Sequence, residues 1–289
     1  MAVILVTGSD GQLGNELKVI SSNFYGYDFI FTDVATLDLT DTRKTAEFIK
    51  DCKPGWIINC AAYNLVDKAE AEPETAMLVN SSALKNITDA IKDQDCRLIH
   101  ISSDYVYEGT ACVPYNEEVI PNPLSAYGRS KLAGEKNTLV HPSSIIIRTS
   151  WLYSSFGKNF VKSILKNAAE KESLNVVMDQ TGTPTYAADL ASAIMHIVSG
   201  VIRNQLSFTS GIYNYSNEGV CSWYDFAVEI VHEAGCKCKV VPVLSKDYKQ
   251  AARRPSYSVM DKTKIKENFN LTIPHWRESF LRCIRLMDY

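Results

Sequence analysis

Tyr127 stands four residues before Lys131 in the stretch LSAYGRSKLAGE, residues 124–135. Residues four apart share one helix face, so both side chains can point into one site. A free tyrosine has a pKa of about 10. A nearby ammonium favours the phenolate and lowers that value toward the working range. Such a tyrosine can give a proton to an oxygen that becomes negative as a hydride arrives, and Lys131 can also reach a nicotinamide ribose. The spacing is common by chance, and alone it describes an ordinary helix surface. A third member comes from HISSDYVYEG, after the fourth expected strand. Ser103 can hydrogen-bond the same carbonyl oxygen as Tyr127. Ser102 is the alternative hydroxyl, and satisfying local backbone is its ordinary role.

A hydride needs a carrier, and VTGSDGQLGNE offers a cradle for one. Gly8 permits a tight turn out of a strand, Gly11 lets backbone approach a pyrophosphate, and Gly14 lets a helix pack closely on a sheet. The helix N-terminus presents free N–H groups to phosphate. Gln12 and Leu13 lie in the same loop and count among the expected cofactor contacts. Asp33 follows 19 residues after Gly14 and can accept hydrogen bonds from an adenosine ribose. A carboxylate there repels a 2′-phosphate, which favours NADH over NADPH. Asp38, with Leu39 beside it in TLDLTD, is the nearby competitor. NCAAYNLVDKAE, residues 59–70, follows the third strand. Its Ala61 and Ala62 let backbone lie close to a cofactor, and Tyr63 is expected there too.

The elements that must position these groups alternate through the first half. Strands are expected at 2–7, 29–33, 56–60, 97–102 and 144–150, and helices after the glycine loop, at 41–52 with Asp41 as N-cap, from Pro73 to 93, and around Tyr127. This alternation predicts an α/β fold, a Rossmann-type doubly wound parallel sheet with right-handed crossovers. Further strands are expected at 174–179, 211–216 and 238–244, and amphipathic helices at 186–199 and 222–235. Residues 1–150 are thus expected to form an NAD(P)-binding domain, to which segments around 181–215 return. Residues 151–289 are expected to form mainly a smaller C-terminal α/β substrate lobe.

The composition fits a globular chain of 289 residues, 46% hydrophobic and 22% charged. Its net charge of −3 favours neither nucleic acid nor an acidic membrane. No apolar run is long enough to span a bilayer, and the N-terminus lacks the basic start and cleavage site of a signal peptide. The eight cysteines are scattered, with no C-x-x-C pair, which predicts reduced thiols and the cytoplasm.

TGSDGQLG, NCAAYNLVDKAE, SSDYVYEG, YGRSKLAGE, RTSWLYSSFGKNFV, DQTGTPTYAADLA and RRPSYSVMD occur in an order that resembles the dTDP-4-dehydrorhamnose reductases of the extended short-chain dehydrogenase/reductase superfamily. The resemblance runs from about residue 3 to residue 281 and implies NAD(P)H-dependent reduction of the C4 ketone of dTDP-4-dehydro-L-rhamnose to dTDP-L-rhamnose. It implies Tyr127 as general acid, Lys131 as its partner and Ser103 where the family has threonine or serine. Asp104, Tyr105 and Trp151 are implied at the sugar, with Asn159 and Phe160 of GKNF lining the same pocket. Arg254, rather than its neighbour Arg253, is implied at the diphosphate through charge-assisted hydrogen bonds. Some members form a magnesium-dependent homodimer through glutamates. Glu16 stands where one such glutamate occurs, but TYAADLA offers Tyr186 and no glutamate, so the Mg2+ set is incomplete. A helix first-turn carboxylate is the other reading of Glu16. Two rivals remain: a reductase or epimerase of another nucleotide sugar, and a regulatory subunit like the methionine adenosyltransferase β subunit.

Overall fold

The computed structural model describes residues 2–287. The chain begins β1 (Ala2–Thr7), α1 (Gln12–Ser21), β2 (Tyr27–Thr32), α2 (Thr42–Cys52) and β3 (Trp56–Asn59). Two short helices follow, α3 (Val66–Ala71) and α4 (Pro73–Met77), then a π-helical turn (Leu78–Ser82) and α5 (Ala83–Ile91). Next come β4 (Arg97–Ser103), α6 (Ala126–Leu139), β5 (Ser144–Thr149), β6 (Leu152–Tyr153) and α7 (Phe160–Glu170). The remainder is β7 (Ser173–Val177), β8 (Thr181–Gly182), β9 (Thr185–Tyr186), α8 (Ala187–Ile202), β10 (Gly211–Tyr215), β11 (Cys221–Ser222), α9 (Trp223–Glu233), β12 (Lys239–Val243), α10 (Thr263–Phe269) and α11 (Trp276–Ile284).

Six strands form one sheet in the order β10-β5-β4-β3-β1-β2, every pair parallel. Alternate residues of a strand face opposite sides of a sheet. Ile4 and Val6, Trp56 and Ile58, and Ile99 therefore meet α1 and α8 on one face. Leu5, Ile57 and Leu98 meet α2 and α5 on the other. Burial on both faces explains why these strands are continuous apolar runs. The fold is α/β and doubly wound. The chain leaves β1 for β2 on one side and then returns to β3 on the other, and this reversal opens a crevice at the carboxyl ends of the strands.

A second core gathers α7, α9 and α11 around Tyr153, Phe226 and Phe280. The expected strands near 174 and 238 pair with each other, β7 with β12 in parallel, whereas the one near 211 joins the main sheet beside β5. The single helix expected after Pro73 is broken by the π turn, and α3 precedes it unannounced. No helix of the described residues is long and apolar enough to cross a membrane. All eight cysteines are free.

Candidate active site

Helix α6 carries Tyr127 and Lys131, and three contacts seat it. Ser125 caps it by accepting from the Gly128 N–H at 3.0 Å, and the Glu70 carboxylate accepts from the Ala126 N–H at 2.7 Å. Gly128 allows close approach to the 104–106 turn, since a Cβ there would lie 2.2 Å from the Tyr105 carbonyl oxygen. Gly134 does the same against the π turn, where a Cβ would lie 2.1 Å from the Asn80 carbonyl oxygen. Asn80 itself binds the Tyr63 backbone at N–H (2.8 Å) and carbonyl (3.1 Å) and donates to Ser130 Oγ at 2.9 Å. The π turn thus ties the segment after β3 to the middle of α6.

These contacts bring Tyr127 edge-on to Tyr105, ring centroids 5.4 Å apart. Both Tyr127 and Lys131 are buried. Burial raises the Tyr127 pKa above the ordinary tyrosine value, while the Ser103 hydroxyl lowers it and Asp104 and Tyr105 raise it further. Lys131 is not among the groups that act on Tyr127, and burial dominates its shift. The Lys131 ammonium instead donates to the Ile101 carbonyl, 2.7 Å from Nζ. Burial lowers Lys131 to about 8 against the opposing pull of Glu135 and Cys60. So raised, the Tyr127 phenol holds its proton at neutral pH and is a weaker acid than a free tyrosine.

The two serines separate at the end of β4. Ser102 Oγ donates to Glu135 Oε1 at 2.6 Å, inside the buried Glu135–Arg148 ion pair. Ser103 Oγ donates to Asp104 Oδ1 at 2.9 Å and lies on the Tyr127 side. Asp104 is buried. Burial raises its pKa to about 6, against the Ser258 and Ser103 hydroxyls.

The glycine loop lies next to this group. Gly8 has φ 66°, and a Cβ there would strike the Cys60 and Ala61 backbone at 2.5–2.8 Å. A Cβ on Gly14 would lie 2.5 Å from the Gly8 carbonyl oxygen. Gly11 is the N-cap of α1. Only backbone fits this turn, and its N–H groups are what a pyrophosphate needs. Cys60 links it to α6, since Lys131 acts electrostatically on its thiol. Asp33 directly follows β2 and accepts from the Asp10 N–H at 2.9 Å and the Val34 N–H at 2.7 Å. Asp38 is engaged in its own turn, accepting from Thr40 N–H and Oγ, and Leu39 is buried in the core beneath α2 and α5. Leu13 is likewise a core residue of α1. Ala61 and Ala62 follow β3, and the Tyr63 hydroxyl donates to Glu72 at 2.9 Å.

Gln12 reaches across the crevice. It donates to the Leu152 carbonyl at 3.4 Å and accepts from Asn159 Nδ2 at 3.0 Å. Asn159 also caps α7 through the Lys162 N–H, so its amide is engaged in holding the loop after β5. Trp151 in that loop has a left-handed backbone, φ 49°. For a bulky residue this conformation carries ~1–3 kcal/mol of strain. Its indole lies flat on Trp223, centroids 3.5 Å apart, and Phe160 packs on the same Trp223 at 4.4 Å.

Arg254 donates to the Tyr105 hydroxyl at 3.2 Å and pairs with Asp67 at 2.7 Å. It lines two neighbouring cavities, one of about 360 Å³ that also meets Arg253 and Lys246 and one of about 620 Å³ bordered by Phe160, Trp223, Leu174 and Asn175. Asp67 and Trp223 were not singled out from sequence. Asp67 lay unremarked inside NCAAYNLVDKAE, and nothing local marks Trp223.

Glu16 is no surface carboxylate. It is buried, and burial raises its pKa. It accepts from Ser154 Oγ at 2.6 Å and so joins α1 to the loop after β5. Asp189, its acidic neighbour, is paired with Arg282 at 2.6 Å, and Tyr186 stacks on Tyr153. Among the described residues no group of three His, Cys, Asp or Glu side chains is placed to hold a metal ion.

Comparison with known proteins adds independent findings. The family model described as RmlD substrate binding domain matches residues 1–288. The chain is similar to the dTDP-4-dehydrorhamnose reductase of Aggregatibacter actinomycetemcomitans, 37% identical over 286 residues, covering 96% of this chain and 97% of that protein. Among solved structures it is similar to a dTDP-4-dehydrorhamnose reductase from Clostridium acetobutylicum (TM-score 0.91, 37% identity, 98% and 99% of the two chains covered). It is also similar to the Bacillus anthracis reductase in complex with NADP (TM-score 0.90, 36% identity, 99% of each chain).

Proposed function

The chain belongs to the dTDP-4-dehydrorhamnose reductase family, and from that membership we infer that it reduces the C4 ketone of dTDP-4-dehydro-L-rhamnose to dTDP-L-rhamnose with NAD(P)H. One observation carries the reading: Ser103, Tyr127 and Lys131 are gathered beside a glycine turn built to admit only backbone. Two cavities meet Arg254, which donates to the Tyr105 hydroxyl, and this supports a place for the diphosphate there.

The nicotinamide cofactor, when bound, supplies the hydride to C4 of the sugar. Gly8, Gly11 and Gly14 with the N-terminus of α1 would hold its pyrophosphate, and Asp33 its adenosine ribose. Tyr127 carries the proton at its phenolic oxygen and passes it to the ketone oxygen as negative charge develops there. Ser103 turns its hydroxyl from Asp104 to the same oxygen and orients the ketone. The Lys131 ammonium, on the same helix, would hold the nicotinamide ribose. Ketone, hydride and proton give the alcohol, so the chemistry is complete without a metal. Arg254, held by Asp67, lies where a diphosphate can enter, and Tyr105 and Trp151 offer aromatic faces to the sugar. In this reading residues 1–150, with the return near 181–215, hold the cofactor, and the rest of 151–289 mainly holds the nucleotide sugar.

The test is NADH oxidation by the purified protein with dTDP-4-dehydro-L-rhamnose. Turnover is expected, undiminished by EDTA. Tyr127→Phe should lower kcat by about 10²–10⁴-fold while NADH still binds. Turnover equal to wild type in that variant would remove Tyr127 from the mechanism. A panel of other nucleotide sugars separates the reading from its nearest rival. The Asp33 carboxylate supports NADH over NADPH, so Asp33→Ser should shift the preference toward NADPH. An unchanged ratio would refute that role.

A further inference from the structure

Trp151 is a tryptophan in a backbone conformation that side chains rarely adopt. It emerges two residues beyond Thr149, which pairs with Ser103 across β4 and β5, so it leaves the sheet beside the reaction centre. What holds it comes from elsewhere in the chain. Its carbonyl accepts from the Thr185 N–H at 3.1 Å. Its indole lies parallel to that of Trp223, 9° between planes. Gly182 touches the same indole, and a Cβ there would sit 2.7–2.9 Å from three of its atoms. Gly182 and Trp223 are not placed independently. β8 and β11 pair antiparallel with Gly182 opposite Cys221, two residues before Trp223. One short ribbon therefore presents two contacts to Trp151, the flat Trp223 ring and the bare Gly182 backbone. Trp223 in turn borders the cavity of about 620 Å³, with Phe160 on its edge.

We propose that Trp223 and Gly182 form a clamp that positions Trp151, making the stacked indoles the wall between the sugar and the larger cavity. Trp223 is thus a positioning residue, acting through Trp151. Without the clamp, the strained turn at residue 151 relaxes and the indole leaves its place against Trp223 and Gly182. The kinetic part rests on the reductase reading. The geometric part does not.

The experiment joins two readouts. Two indoles stacked this closely couple their electronic transitions, so the protein alone should show a tryptophan exciton couplet in far-ultraviolet circular dichroism. Trp223→Ala, Trp223→Phe and Trp151→Phe should each abolish it. Gly182→Ala retains both indoles and has no positive φ to forbid it, and it should weaken the couplet by displacing Trp151. In turnover, Trp223→Ala and Gly182→Ala should lower kcat/KM for the nucleotide sugar on the order of tenfold, with the KM for NADH unchanged. Trp223→Phe keeps a flat ring beneath Trp151 and should recover most of that loss. Absence of the couplet in the wild-type protein overturns the clamp. So does wild-type kcat/KM in Trp223→Ala, or a parallel rise in both KM values. If the wild-type protein turns over no nucleotide sugar, the reductase reading fails, and the couplet still judges the clamp. Should Trp223→Ala not fold, Gly182→Ala and Trp223→Phe give the same decision.

Discussion

Two buried cations flank Glu135, and the molecule treats them in opposite ways. Arg148 binds the Glu135 carboxylate through Nε (2.9 Å) and Nη2 (2.7 Å), gives Nη1 to the Tyr107 hydroxyl (3.0 Å), and stacks over the Tyr107 ring at 4.9 Å. Burial pulls its pKa down, but the hydrogen bonds and charge of Glu135 outweigh that and hold it above the usual arginine value. Lys131, one helical turn before Glu135, makes one hydrogen bond, to the Ile101 carbonyl. An ammonium has three donors. Burial lowers it to about 8, and Glu135 restores only part of the loss because its oxygens already serve Arg148 and Ser102. A cation with its donors satisfied by the chain holds geometry. We propose that Lys131, the less engaged cation, is the one that serves the cofactor.

Replacing each cation by methionine is the strongest way to break this contrast. Arg148→Met leaves the Glu135 carboxylate buried without its partner, which should cost about 3–5 kcal/mol of stability. Lys131→Met should lower kcat/KM by about 10²–10⁴-fold and stabilise the fold. The sign follows from the shift: the folded protein lowers Lys131 from 10.5 to about 8, so it binds a proton less readily than the unfolded chain. Keeping that charge costs about 3 kcal/mol, fully present below pH 8 and gone above 10.5. Loss of the Ile101 hydrogen bond reduces the gain. Urea unfolding at pH 7 measures both variants. Equal destabilisation would erase the distinction.

The pH profile sharpens the same contrast without a mutation. If the protonated Lys131 is the working form, kcat/KM should fall about tenfold per unit as pH rises above about 8, the value burial imposes. Arg148 stays charged throughout and contributes no limb. A flat profile to pH 10 would mean that Lys131 does its work uncharged, or none.

The parts legible in sequence were those whose geometry is local. The turn at Gly8, Gly11 and Gly14 and the Tyr127/Lys131 pair need only a strand, a turn and a helix, and these have short periods. The continuous apolar runs of β1, β3, β4 and β5 announced a sheet covered on both faces. What stayed hidden depends on segments meeting. The stretch Leu78–Ser82 reads as plain helix because a π turn alters hydrogen bonding without altering polarity. A return to the main sheet around 181–215 was expected, but not that Gly211–Tyr215 would lie at its edge beside β5. Asp67 reaches Arg254 across more than half the chain, and Gly182 and Trp223 become neighbours only through a ribbon of two-residue strands. The choice between Ser102 and Ser103 was open for a simpler reason. Strand alternation sends adjacent hydroxyls to opposite faces, and sequence does not say which face holds Tyr127.

Those two serines give the finest test, because each belongs to a different cation. Ser102 donates into the Glu135–Arg148 pair, so Ser102→Ala removes one hydrogen bond to a carboxylate that retains its arginine. The loss should be about 1–2 kcal/mol of stability, with kcat within about twofold of wild type, because Arg148 alone still fixes Glu135. Ser103 touches Asp104 and Tyr127. Ser103→Ala should cost a similar amount, about 1–2 kcal/mol, because the buried Asp104 carboxylate loses a hydrogen bond, yet lower kcat about 10–100-fold by removing one donor to the ketone oxygen. Should Ser102→Ala be the variant that loses turnover, the charge of Glu135 reaches the reaction through Lys131. The saturated pair would then be part of the catalytic apparatus rather than its frame.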